Sequence, residues 1–93
     1  AIYWINLKDT GDWPKYSLPA LTYHEGPPGH HLHISLLNQD KDLPDLLKNY
    51  FLSAYGEGWA LYAEIVSREL GGYKGIEMAG SLQSWLFRAA RLV

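Results

Sequence analysis

The chain has 93 residues, enough for one small domain, and its 47% hydrophobic and 14% aromatic content excludes a disordered polypeptide. Eight Lys and Arg stand against ten Asp and Glu, a formal net charge of −2 with no long run of either sign, which argues against a nucleic-acid partner held through its phosphates. Cysteine is absent, so disulfides, thiolate metal sites and cysteine nucleophiles are excluded, and a metal here must be held by His, Asp or Glu.

Residues Ile2 to Leu7 (IYWINL) are aromatic and β-branched and end at the turn signal KDTGDWP, which predicts one N-terminal β-strand. Ser17 before Leu18 and Pro19 has the form of a helix start, and a helix is predicted through Ala20 and Tyr23 to His24 and Glu25. Gly26, Pro27 and Pro28 must break or bulge it, because proline removes a backbone donor and disfavours α geometry in the residue before it. A second helical stretch is predicted from about Gly29 to Asn38. After the polar loop NQDKDLP, helix is predicted over Pro44–Ala54 and Tyr55–Leu70, with a weak point at Gly56 and Gly58 and an end at Gly71 and Gly72. Trp59, Tyr62, Val66 and Leu70 recur at helical spacing and read as its packing face. A last helix from about Ile76 carries Met78, Leu82, Trp85, Leu86 and Ala89 as a core-facing stripe.

The expected architecture is mainly α with one strand, and no apolar stretch approaches the ~20 residues of a membrane span. The start at Ala1 and the stop at Val93 inside the run SLQSWLFRAARLV suggest a single partial domain, residues 1–93, cut from a longer parent. Faces meant for absent parts would then be covered by other chains, and self-association is expected.

All four histidines, His24, His30, His31 and His33, fall in the string YHEGPPGHHLH. Histidine is the commonest metal ligand, and His followed by Glu on a helix has the form of the H-E-x-x-H zinc motif, in which the Glu is a general base. The strict spacing needs a second His at position 28, which is Pro28. On an unbroken helix His24 and His31 would lie about 10.5 Å apart along the axis, too far for nitrogens that must each be about 2.0–2.1 Å from one zinc. Looping out two residues of the Gly-Pro-Pro insert instead puts His30 in the motif's second position. The plainer alternative is a polar turn whose imidazoles are solvated.

A catalytic zinc site takes three protein ligands and leaves the fourth position to water, so a carboxylate on a neighbouring helix is sought. The string YGEGWALYAE offers Glu57, flanked by two glycines that permit close approach, and Glu64, which has Arg68 at i+4 as an ordinary surface pair. They lie about 10.5 Å apart on a helix, so both cannot bind one ion. Tyr23 and Tyr55 flank these residues and are candidates for a substrate or oxyanion contact, although a buried, satisfied hydroxyl is the commoner role. Arg88 and Arg91 read as surface charge or as a fork for a substrate carboxylate.

The strings LTYHEGPPGHHLHISL, AYGEGWALYAEIVSRELGGY and GSLQSWLFRAARLV, in this order, resemble the bacterial domain-of-unknown-function family 885, grouped with zinc metallopeptidases of the gluzincin type. The likeness spans nearly the whole chain. It implies a helical piece of a zincin-like peptidase domain acting on peptide substrates, with zinc held by His24, His30 and Glu57 and with Glu25 as general base. His33 stands where the family usually has Gln, which adds a possible competing ligand or outer partner beside His31 and Glu64. The family pattern continues past Val93 into an Asp-Thr-Gly segment with a further His, so the isolated 93 residues are expected to be inactive. The reading from a different class is a non-catalytic helical interaction or metal-binding module built on the same polar residues.

Overall fold

The computed structural model describes residues 2–93. Two short 3-10 turns, Thr10–Asp12 and Lys15–Ser17, lead into α1, Leu18–Glu25. Asp9 opens the first by accepting the Gly11 N–H at 3.0 Å. Pro19 sits in the first turn of α1, where its missing N–H costs no helical bond. The helix stops at Gly26, and after the cis Pro27–Pro28 bond the chain resumes as α2, His30–Gln39. Gly29 joins the two. A Cβ there would run into the backbone carbonyls of Tyr23 and His24, so only glycine permits this tight approach of the two helices.

Asp40 accepts the Asp42 and Leu43 N–H groups at 2.9 and 3.2 Å, an Asx turn that leads to the short α3, Asp45–Asn49. The helix α4, Ser53–Glu69, follows without a break at Gly56 or Gly58. It ends in a Schellman motif. Gly71, at φ +76°, donates to the Arg68 carbonyl at 3.0 Å, and Gly72 donates to Ser67 at 2.8 Å. The last helix, α5, spans Glu77–Ala90, and its first residue, Glu77, accepts the Lys74 N–H of the preceding turn at 2.8 Å.

Several of these features differ from the sequence expectation. The predicted strand over Ile2–Leu7 does not form: among the described residues there is no strand. A strand exists through its ladder of inter-strand bonds, and none forms among the described residues; Ile2, Tyr3 and Trp4 instead line a cleft against Leu21 of α1 and Ile34 of α2. The helix predicted over Pro44–Ala54 is cut by non-helical residues at Tyr50 and Leu52. The buried face of α4 is also not the aromatic one: Tyr62 and Leu70 are exposed, whereas Gly56, Ala60, Ala63, Glu64 and Ser67 are buried.

Small residues explain that choice. Helix α1 packs against α4 and α5, and α2 packs against α4. Ala20, Ala60 and Ala63 bring the helices close enough for polar side chains to meet between them. The buried interior accordingly contains His24, His33, Glu64, Ser67 and Ser81 alongside those alanines and Tyr73. The stripe expected to face a core on α5 is open at Leu82, Trp85 and Leu86. The hydrogen bonds among the buried polar groups centre on Glu64, whereas both ring nitrogens of the buried His33 and the Tyr73 hydroxyl have no partner among the described residues.

Candidate metal centre

Three helices deliver the site. The last turn of α1 carries His24 and Glu25, the first residue of α2 is His30, and the second turn of α4 carries Glu57. The break between α1 and α2 turns His30 back toward His24. Their rings meet edge to face, with centroids 4.9 Å apart and planes at 89°. Trp59 holds the break in place by donating its indole N–H to the Pro28 carbonyl at 3.0 Å.

Nε2 of His24 lies 3.4 Å from Oε2 of Glu57, and Nε2 of His30 lies 3.5 Å from Oε1 of the same carboxylate. Ligands placed tetrahedrally about 2.05 Å from one ion are separated by about 3.3 Å, so these gaps have the size of a zinc coordination edge. The donor set suits zinc too: two imidazoles and one carboxylate, with a fourth direction left over. Glu25 reaches the same space, for its carboxylate and the His24 and His30 rings each offer an atom within 4.8 Å of the others.

The opposite edge of His24 makes a shorter contact. Its Nδ1 lies 2.8 Å from Oε1 of Glu64, a buried carboxylate two turns beyond Glu57 on α4. An ionised carboxylate only accepts, so this contact favours a proton on Nδ1, and Nε2 is the ring nitrogen that faces Glu57 and His30. Glu64 in turn accepts the Trp85 indole N–H at 2.9 Å and pairs with Arg88 Nη1 at 3.0 Å. Arg88 Nη1 also donates to Ser84 Oγ at 2.8 Å.

The structure therefore brings together His24, Glu25, His30, Glu57 and Glu64 and leaves the other histidines apart. His31 is exposed. His33 is buried with its ring stacked on Trp59, at 5.3 Å and 27°, and edge-on to Tyr55 at 5.1 Å. The Tyr23 hydroxyl donates to the Gly72 carbonyl at 3.0 Å, and Tyr55 is largely exposed beside His33. Glu64 does not pair with Arg68; its cation is Arg88, twenty-four positions on. Trp85 and Arg88 are the site residues that local spacing misses, since a partner on another helix leaves no periodic signal. A cleft of about 630 Å³ opens beside the site, lined by Glu25 and His30 together with Trp4, Leu21 and Ile34.

The sequence pattern of a family described as "Bacterial protein of unknown function (DUF885)" matches residues 1–93, the whole chain. No curated protein and no solved structure matches.

Proposed function

This chain belongs to the bacterial family DUF885, and on that premise we propose that it carries the active site of a zinc-dependent peptidase of the gluzincin type, as part of a longer protein. The observation that supports this most strongly is the convergence of the His24 and His30 Nε2 atoms on Glu57, at 3.4 and 3.5 Å. His24, His30 and Glu57 are the residues that would hold the ion. Zinc bound there supplies a Lewis acid for the scissile carbonyl and a water of lowered pKa.

Glu25 is the general base. It follows His24 directly, shares the space between the imidazoles and borders the open cleft, so its carboxylate can take a proton from the attacking water and return it to the leaving amine nitrogen. Glu57 is about half exposed, which leaves the site open on the side a peptide would enter. Glu64 holds the His24 tautomer from behind. The exposed apolar side chains of α5, including Leu82, Leu86 and Phe87, belong in this reading to faces covered by the rest of the parent or by a second copy.

The test is peptide hydrolysis by the whole protein. Activity should be lost on chelation, return with zinc, and fall by about 10²-fold or more in Glu25→Gln protein that still binds zinc. Hydrolysis that survives chelation, or that is undiminished in Glu25→Gln, would contradict the proposal.

A further inference from the structure

We infer that Trp85 and Arg88 of α5 are positioning residues for the metal centre, acting on His24 only through Glu64. The inference rests on the peptidase reading for the statement that His24 Nε2 is a ligand, but its structural content is the state of the His24 ring, which exists with or without metal.

The Glu64 side chain has no solvent exposure. Every group that reaches its two oxygens is a nitrogen donor. Oε1 meets His24 Nδ1 at 2.8 Å and Arg88 Nη1 at 3.0 Å, and Oε2 accepts from Trp85 Nε1 at 2.9 Å. A buried carboxylate is tolerated when a cation and several hydrogen bonds replace its water, and here α5 supplies both. The indole N–H can only donate, and the guanidinium can only donate. Together they fix the carboxylate's orientation and leave a lone pair of Oε1 for the His24 ring.

The arrangement contains its own competitors, one of which is the Glu57 carboxylate, whose Oε2 lies 3.4 Å from His24 Nε2 and accepts an N–H there in metal-free protein. Arg88 Nη2 approaches His24 Nδ1 to 3.3 Å, a contact that would favour the opposite tautomer, with the proton on Nε2 and the metal-facing lone pair lost. The shorter bond to Glu64, which is also charge-assisted, outweighs both as long as that carboxylate is held in place. Arg88 is itself held by Ser84, one turn back on the same helix. The guanidinium head must therefore stay engaged with Glu64 rather than with the imidazole. A helix that contributes no ligand would thus decide whether His24 presents a lone pair to the site.

The test uses Trp85→Phe, Arg88→Met, Arg88→Lys and Glu64→Gln in the whole protein. In metal-free protein with ¹⁵N-labelled histidine at pH 9, above the ordinary imidazole range, His24 should show the proton on Nδ1 in the wild type. The Nε2–H form should gain most population in Trp85→Phe, where Arg88 still faces Nδ1, and less in Arg88→Met, which removes the competing contact together with the anchor, with Arg88→Lys between the wild type and Arg88→Met. Zinc affinity, measured against a competing chelator, should fall about tenfold in Arg88→Met, and by less than about twofold when that change is added to Glu64→Gln, because residues that act as one chain are not additive. The Tm of the metal-free variants identifies any general loss of structure. An unchanged His24 tautomer in both α5 variants, or an equal loss of affinity from Arg88→Met in the two backgrounds, would overturn the inference. A wild type that binds no zinc but shows the tautomer response would contradict the peptidase reading and uphold the positioning role.

Discussion

Nδ1 of His24 and Oε1 of Glu64 lie 2.8 Å apart, a contact between residues forty positions apart in sequence that binds the end of α1 to the middle of α4. It sits in the buried centre of the chain and also fixes which ring nitrogen faces Glu57. Stability and the proposed metal binding therefore share one bond, and the two can be separated by choosing substitutions that remove charge, volume or a single proton.

Removing Glu64 altogether should be the most destabilising of these changes. Glu64→Ala leaves the His24 N–H, the Trp85 indole and the Arg88 guanidinium facing a cavity, and the loss of one partner of a buried pair costs about 3 kcal/mol or more. Glu64→Gln keeps the volume and one acceptor, and should cost clearly less. Denaturant unfolding of the metal-free proteins measures both; equal losses would mean that the pair is not the organising contact.

Glu25→Gln should separate chemistry from binding. General acid–base groups typically contribute 10²–10⁴-fold to rate, so turnover should fall by about 10²-fold or more with zinc content unchanged. A loss of zinc together with rate would make Glu25 a ligand rather than a base.

Gly29→Ala should damage the site without touching a ligand. Its Cβ has no space between the carbonyls of Tyr23 and His24, so the start of α2 must move and carry His30 with it. Forced overpacking costs about 1–3 kcal/mol, and zinc affinity should fall along with Tm. An alanine variant with wild-type zinc affinity would show that the distance between His24 and His30 is not set by this joint.

Legibility in the sequence followed the range of the interaction. Proline and glycine act on their own backbone, so the end of α1 before Gly26, the interruption at Pro27 and Pro28 and the stop after Leu70 could be read locally. The convergence of His24 with His30 rather than His31 also followed from counting residues across that interruption. The strand did not, because IYWINL carries strand composition but strand formation depends on a partner segment. Glu64 is legible only in part, as an outer partner of the site: the i+4 arginine suggests a surface pair, whereas the alanines around Glu64 turn that face inward against α1 and toward Arg88. The Trp85 and Arg88 contacts depend on how α5 crosses α4, which no spacing within either helix encodes.

Tyr73 gives a pH effect with a defined sign. Burial pushes its phenol above the usual value of 10.0, and the hydroxyl meets no partner within hydrogen-bond geometry among the described residues. The folded state thus holds the proton to higher pH than the unfolded chain, so stability is intact below pH ~10 and is lost as pH rises from there toward the folded pKa. Tyr73→Phe should remove this alkaline loss and, since it deletes an unsatisfied buried group, should change stability at neutral pH by no more than about 1 kcal/mol. Unfolding curves of both proteins between pH 8 and 11 check it.

The most direct measurement is the zinc content of the whole protein, purified without a histidine tag, by elemental mass spectrometry, in the wild type and in single alanine variants of His24, His30, His31, His33 and Glu57. The predicted result is about one zinc per chain. It should be lost in the His24, His30 and Glu57 variants and retained in His31→Ala and His33→Ala. No zinc in the wild type at saturating metal, or retention of zinc in His24→Ala, would contradict the assignment of this cluster as a metal centre.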